Sequence, residues 1–127
     1  MSDQTPASDG RRSDPECLFC RIVAGEVPAE VVYQDDAAVA FRDLDPQAPT
    51  HVLVIPRHHV PTVADLAQER PDDAVALLRA AGAVAVQEGV AESGYRSVFN
   101  SGPDAQQSVF HAHVHVLGGR QLTWPPG

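Results

Sequence analysis

Three histidines alternate with apolar residues near the end of this 127-residue chain, at His111, His113 and His115. Strict alternation is typical of a β-strand with one buried face, and side chains two residues apart on a strand share a face. The segment 108–117 is therefore predicted to be a strand that carries a row of three imidazoles. The apolar residues of the segment are expected to face a core: Phe110, Ala112, Val114 and Val116.

A row of imidazoles on one strand face can do chemistry on phosphorus. A neutral imidazole is a nucleophile at pH 7, and a second imidazole can hold the proton for a leaving group. The row therefore favours phosphoryl or nucleotidyl transfer, or the binding of an anion. A metal site and a purely structural row are the alternatives.

The other three histidines, His51, His58 and His59, lie within or just after a second apolar segment, 50–56. That segment is apolar enough to be a central strand. If it neighbours the strand at 108–117, the histidines converge on one site. The loop 101–108 is rich in amide and hydroxyl groups that can contact an anion, although an ordinary polar turn has the same composition.

The two cysteines of the chain, Cys17 and Cys20, lie on a predicted short helix that ends near Gly25. A spacing of three residues places both thiols on one helix face, where they can hold one metal ion. An inert pair and a redox pair are the alternatives.

The composition limits the class of protein. The length indicates one domain, and 43% hydrophobic residues can form a core. A net charge of −8 argues against nucleic-acid or anionic-membrane binding by bulk electrostatics. No apolar run approaches the ~20 residues of a membrane helix, and no signal peptide is evident, so we expect a cytoplasmic protein. Residues 1–14 are predicted to be a disordered tail, and 15–127 a single domain.

The remaining patterns predict further elements. We expect a β-hairpin over 31–44, a short helix from Thr62, a main helix from Pro71 to Ala91 and a strand over 95–100. The main helix is apolar on more than one side, and the tail carries the only Trp. Both features predict that a second subunit covers them, and hence a homodimer.

Four stretches together resemble the Hint branch of the histidine triad family: 43–56, Gln106-Gln107-Ser108, the triad itself and the tail 118–127. The resemblance implies an α+β fold with a five-stranded antiparallel sheet and two main helices, and a homodimer whose sheets join. It also implies hydrolysis of purine nucleoside 5′-phosphoramidates through a covalent nucleotidyl-histidine, which releases AMP or GMP. A dinucleoside polyphosphate hydrolase or phosphorylase, a non-enzymatic nucleotide-binding scaffold and a metal-storage module are the alternatives.

The resemblance also implies roles for individual residues. His113 matches the nucleophile, His115 the triad residue near the phosphate and leaving group, and His51 a supporting histidine. Ser108 and Asn100 match polar contacts to the phosphate. Asp43 matches the acceptor for the ribose hydroxyls, and Trp124 the tail residue that lies at the partner's site. The apolar walls of the nucleobase pocket are expected to be Leu18, Phe19, Ile22, Phe41 and Leu44.

Two departures from the animal members of this branch affect the expectations. Thr123 stands where a His often precedes the Trp, which bears on the preference for a leaving group. The cysteine pair resembles instead that of zinc-carrying bacterial members, and this resemblance implies zinc ligands at Cys17, Cys20, His59 and His111. Two thiolates and two imidazoles are a complete tetrahedral set for structural zinc.

Overall fold

The computed structural model describes residues 10–127 and the backbone of residues 5–6. Its strands are β1 (Thr5–Pro6), β2 (Arg12–Ser13), β3 (Val31–Gln34), β4 (Ala38–Arg42), β5 (Thr50–Pro56), β6 (Tyr95–Val98) and β7 (Val114–Gly118). Its helices are α1 (Leu18–Val23), α2 (Val63–Glu69) and α3 (Pro71–Gln87), with a 3₁₀ turn at Pro103–Ala105. The main sheet has the order β3-β4-β5-β7-β6, and all its neighbours are antiparallel. This confirms the predicted α+β fold with a five-stranded antiparallel sheet, and the three helices lie where the sequence patterns predicted them.

Strand β5 is the centre of the sheet, as its apolar sequence predicted, and every one of its residues is buried. It pairs with β4 on one side and with β7 on the other. Alternate residues of these strands face α3 and form the main core with it. The opposite face of β5 carries His51, Leu53 and Ile55, so the sheet separates a packed layer from a layer that holds histidines.

The histidine segment is less regular than its alternation predicted, because β7 begins only at Val114. The backbone N–H of Ala112 donates to the carbonyl of Val60 at 2.8 Å, so the chain here pairs with the segment after β5 rather than with β5 itself. Only His115 of the triad therefore lies in the strand. Ala112 and Val114 do enter the core, whereas Phe110 is 54% exposed and does not.

The helices begin where their caps predicted. Thr62 precedes α2, and its hydroxyl accepts the N–H of Asp65 at 3.1 Å. Pro71 is the first residue of α3, which ends at Gln87, four residues earlier than predicted. Gly89 follows with a φ of 76°, a backbone conformation that a glycine adopts without strain. No helix among the described residues has the length and apolar content that crossing a membrane requires.

One apolar side of α3 is not covered by any of the residues that the structure describes. Leu77, Ala80 and Val84 are buried against the sheet, while Leu78 and Val86 are 54% and 70% exposed. This confirms that the helix is apolar on more than one side. The homodimer inferred from that pattern stays a prediction.

The segment 10–14, part of the predicted disordered tail, packs on the folded body. The guanidinium of Arg11 binds the carboxylate of Asp73 through two hydrogen bonds of 2.9 and 3.0 Å. The N–H of Arg12 donates to Nδ1 of His58 at 2.8 Å, and the N–H of His59 donates to the carbonyl of Arg12 at 2.8 Å. We call residues 10–14 the arm. The rest of the predicted tail, apart from the backbone of 5–6, lies outside the described residues.

Candidate functional site

The two histidine groups converge through the pairing of β5 with β7. Leu53 lies opposite His115, and His51 lies opposite Leu117, so both imidazoles stand on the sheet face away from α3. Nε2 of His51 is 2.9 Å from Nδ1 of His115. The rings of His113 and His115 lie 5.1 Å apart between centroids.

The histidines at 58 and 59 point in different directions. His59 joins His111, with 3.2 Å between their Nδ1 atoms. His58 turns toward α2, where its Nε2 lies 3.0 Å from Glu69. Five of the six histidines therefore converge as the sequence predicted, and His58 instead fastens the arm.

Cys17, Cys20, His59 and His111 bring four ligand atoms within 4.8 Å of one another. A tetrahedral zinc with ligand bonds of about 2.0–2.3 Å places two nitrogens about 3.3 Å apart, and a nitrogen and a sulfur about 3.6 Å apart. The observed N···N distance is 3.2 Å, and the S···N distances are 3.4, 3.4 and 3.6 Å. The cluster therefore has the dimensions of a closed tetrahedral metal site.

Neighbouring groups orient the ligands of this cluster. Nε2–H of His111 donates to the carbonyl of Pro56 at 2.8 Å, which leaves the lone pair of Nδ1 directed at the cluster. The N–H of Asp14, in the arm, donates to Sγ of Cys20 at 3.4 Å. The hydrogen bond between the two cysteine side chains lowers the pKa of Cys17, and the same contact, together with burial, raises the pKa of Cys20. A cation would satisfy lone pairs that otherwise face one another.

Hydrogen bonds fix the two catalytic candidates of the triad as different tautomers. The carbonyl of His111 can only accept, so His113 carries its proton on Nδ1, 2.7 Å away, and its Nε2 is a lone pair. The backbone N–H of Gln47 donates to Nδ1 of His51 at 3.0 Å, so His51 carries its proton on Nε2. That proton is donated to Nδ1 of His115, which leaves His115 with Nε2–H.

Burial keeps these three imidazoles neutral at pH 7. Desolvation lowers the pKa of His113 and of His51, although Asp43 acts in the opposite direction on both. Desolvation, together with the nearby His113 and His51, lowers the pKa of His115 to about 4. The site therefore offers one neutral nucleophile, His113, and one neutral hydrogen-bond donor, His115.

A cavity of about 350 Å³ opens beside His113 and His115, a volume suited to a small organic ligand. The apolar part of its lining comes from α1, the end of β4 and the turn that follows β4, with Leu18, Phe19, Ile22, Phe41 and Leu44. The polar part includes the candidates Asp43, Asn100, Ser108, His113 and His115. Of the predicted nucleotide-binding residues only Trp124, which is 81% exposed in the tail, does not border this cavity.

Comparison with known proteins gives the chain its family. Residues 24–122 match the HIT domain. The chain belongs to the HIT family. It is 48% identical to the "14 kDa zinc-binding protein" of Zea mays, over the full length of both chains. It is 46% identical to the purine nucleoside phosphoramidase of Escherichia coli K12, over 84% of this chain and 90% of that one. A crystal structure of a HIT family hydrolase from Legionella pneumophila superimposes with a TM-score of 0.84 at 49% identity, covering 88% of this chain and 100% of that one.

Several groups at this candidate site were not predicted from the sequence. Leu53 borders the cavity opposite His115, and alternation from His51 along β5 could have identified it. The N–H of Gln47 and the carbonyl of Pro56 are main-chain groups, which no side-chain pattern can show. The contribution of Asp14 to the metal cluster is likewise a backbone N–H.

Proposed function

We propose that this HIT protein hydrolyses purine nucleoside 5′-phosphoramidates through a nucleotidyl-His113 intermediate. The supporting observation is that a neutral lone pair on His113 and an N–H donor on His115 border the same cavity. One group can attack phosphorus while the other stabilises charge on its oxygens. The phosphoramidase relative from Escherichia coli supports the same reaction.

The cavity accounts for the nucleoside. Phe19 and Phe41 meet edge to face at 5.6 Å between centroids and offer an apolar wall to a purine. Asp43 borders the same cavity, where a carboxylate can accept hydrogen bonds from both hydroxyls of a ribose. Asn100 and Ser108 supply polar contacts for the phosphate.

In the first step Nε2 of His113 forms a bond to the α-phosphorus while the bond from phosphorus to the amine nitrogen breaks. The amine leaves with a proton taken from solvent. Nδ1–H of His113 stays bonded to the carbonyl of His111, which stabilises the positive charge that the ring acquires. Nε2–H of His115 donates to a phosphate oxygen, because a ring with a pKa of about 4 has no second proton to give at pH 7.

In the second step water attacks phosphorus and the bond to His113 breaks. The water proton passes to solvent, His113 returns to its neutral tautomer, and AMP or GMP is released. One water is consumed for each P–N bond cleaved, and no redox partner is needed.

We also propose that the Cys17, Cys20, His59 and His111 cluster holds structural zinc. Four protein ligands close the site and leave no position for a substrate. The zinc-binding relative from Zea mays supports this choice of metal. Ligands that include two reduced thiols suit a cytoplasmic location.

A homodimer is the third part of the proposal. The apolar side chains Leu78, Val86 and Trp124 are exposed on the protomer, and a second subunit would bury them. Light scattering at micromolar concentration should give the mass of two chains. A monomer mass would contradict the dimer.

The reaction is tested with adenosine 5′-phosphoramidate. The wild type should release AMP and carry an acid-labile adenylate on His113 when the reaction is quenched rapidly, and His113→Ala should show neither. AMP binding by His113→Ala serves as the control for an intact cavity. Near-normal turnover by His113→Ala, or an adduct on His115 or His51, would contradict the mechanism. Faster release of AMP from a diadenosine polyphosphate would favour the polyphosphate hydrolase instead.

A further inference from the structure

A second cavity, of about 360 Å³, lies beside His115 and is formed by β5, β6, β7 and the C-terminal tail. We call it the tail cavity. It shares only His115 and Asn100 with the cavity assigned above to the nucleoside. A phosphate held at these two residues would therefore have the nucleoside on one side and its leaving group on the other.

The tail cavity is locally cationic in an acidic protein. The chain has a net charge of −8, yet the described residues that border this cavity include Arg96 and Arg120 and no Asp or Glu. Neither arginine forms an ion pair with a carboxylate among the described residues, unlike Arg11, Arg42 and Arg70. Two arginines that pair with no carboxylate in the described part of the chain thus border the same space.

Main-chain carbonyls hold both arginines in place. Arg96 donates to the carbonyl of Thr123 at 2.9 Å, and Arg120 donates to the carbonyls of Gln47 and Gln121 at 3.0 and 3.1 Å. A carbonyl orients a guanidinium without neutralising it. Several N–H donors of each side chain are left for a further acceptor, because a guanidinium has five.

The strand register places one of these charges close to the reacting group. Val98 lies opposite His115, and Arg96 lies opposite Leu117, so Arg96 is the diagonal neighbour of His115 on the same sheet face. Diagonal neighbours are about 7–8 Å apart, a distance that a long side chain can span. A group attached to the phosphate and extending only a few bonds past His115 would meet Arg96.

We propose that the tail cavity is an oxyanion subsite, and that Arg96 and Arg120 make the protein select substrates whose leaving group carries a carboxylate or a sulfate. The inference rests on the proposed nucleotidyl transfer to His113. For an amino acid linked through its nitrogen, only the P–N bond breaks and the amine takes its proton from solvent. For adenylyl sulfate, the bond from phosphorus to the sulfate oxygen breaks instead, and sulfate leaves as its dianion without a proton. The carboxylate stays ionised throughout and supplies binding energy.

A matched pair of substrates tests the subsite: adenosine 5′-phosphoramidate N-linked to β-alanine, and the same compound with the carboxylate replaced by a neutral amide. A charge-assisted hydrogen bond should give the carboxylate about a tenfold advantage in kcat/KM. Arg96→Gln should reduce that ratio to near one, and Arg120→Gln should reduce it as well. Arg79→Gln is the control, because it removes the same charge from a groove beside Asp35 and Asp72 and should leave the ratio unchanged.

Hydrolysis of adenylyl sulfate tests whether the subsite accepts a sulfate as well as a carboxylate. A parallel loss of its hydrolysis in Arg96→Gln would extend the subsite to sulfate, and a loss confined to the β-alanine compound would identify the carboxylate. Equal kcat/KM for the two members of the pair in the wild type, or an unchanged preference in both arginine variants, would overturn the inference.

The affinities of His113→Ala for the carboxylate and amide compounds distinguish a failure of the oxyanion subsite from a failure of the proposed function. If neither compound is hydrolysed, the phosphoramidase proposal fails, yet the carboxylate should still bind more tightly than the amide. Equal affinities would overturn the subsite independently of turnover.

Discussion

His111 and His115 are four residues apart in one segment, and the structure uses them in opposite ways. His111 is completely buried, with one ring nitrogen bonded to the carbonyl of Pro56 and the other directed at two thiols. His115 is partly exposed, and with Nδ1 held by His51 it keeps an N–H for the nucleoside cavity. The difference shows that the hydrogen-bond partner of the second nitrogen, rather than the residue type, determines what each histidine can do.

The backbone explains why the two ends differ. Before Val114 the chain pairs with the segment after β5, which brings His111 toward α1 and the cysteines. From Val114 onward it joins the sheet, which aligns His115 with His51. His113 lies at the transition and contacts both ends, since its Nδ1 binds the carbonyl of His111 while its ring packs beside His115.

We call His111, with Cys17, Cys20 and His59, the metal end, and the largest expected effect is there. Removing zinc, or replacing a ligand as in Cys20→Ser, should lower the free energy of unfolding by several kcal/mol, because metal binding is coupled to folding at such sites. Metal analysis should find one zinc per wild-type chain, and a chelator should lower the melting temperature of the wild type but not of Cys20→Ser. A wild-type protein that contains no metal, or whose melting temperature does not change with the chelator, would contradict the assignment of His111 to a zinc site.

We call His113 and His115, with His51, the catalytic end, and the second-largest effect is expected there. His115→Ala should lower kcat about 10²–10³-fold, the usual loss when one donor to a developing oxyanion is removed. Its zinc content and melting temperature should match those of the wild type. Loss of zinc in His115→Ala, with turnover retained, would reverse the assignment of the two ends.

The metal cluster and the central strand could be predicted from the sequence. The spacing of the histidines and cysteines, together with the family resemblance, predicted the membership of the metal cluster that the structure assembles. The apolar run in β5 predicted its central position. These predictions succeed because they depend on residue type and short-range periodicity, which the sequence states directly.

Other features depend on contacts between distant parts of the chain. The arm was predicted to be disordered because its residues have little to bury, yet Arg11 binds Asp73, 62 residues away. The late start of β7 results from the pairing of Ala112 with Val60. The tautomer of His115 depends on the backbone of Gln47. No local pattern contains this information.

The protonation of His115 can be measured directly. Burial and the adjacent imidazoles lower its pKa to about 4, so the ring should stay neutral down to about pH 5 and gain a proton only below that. Histidine ring NMR, assigned by comparison with His115→Ala, should follow this titration. A midpoint near 6.5, the value for a free side chain, would mean that His115 also serves as a cationic acid.

A smaller effect is expected where the arm meets α3. Asp73 is 4% exposed and binds both Arg11 and Arg70, so Asp73→Asn should lower the free energy of unfolding by about 1–3 kcal/mol. Asp72→Asn, next to it on the exposed side, is the matched control and should change little. Turnover of the folded Asp73→Asn protein should stay normal, since the arm contacts the metal end. A fall in kcat without a loss of stability would contradict that separation.

The smallest effect should come from Ser108. Its side chain borders the nucleoside cavity and can donate to the phosphate, but Asn100 borders the same space and His115 keeps its own N–H. Losing one of several neutral donors costs about 0.5–1.5 kcal/mol, so Ser108→Ala should reduce kcat/KM by roughly tenfold or less. Ser101→Ala, in the same loop, is the control. A loss from Ser108→Ala as large as that from His115→Ala would instead place the serine hydroxyl in the path of the proton to the leaving amine. The catalytic end would then include the loop 101–108 as well as the imidazoles.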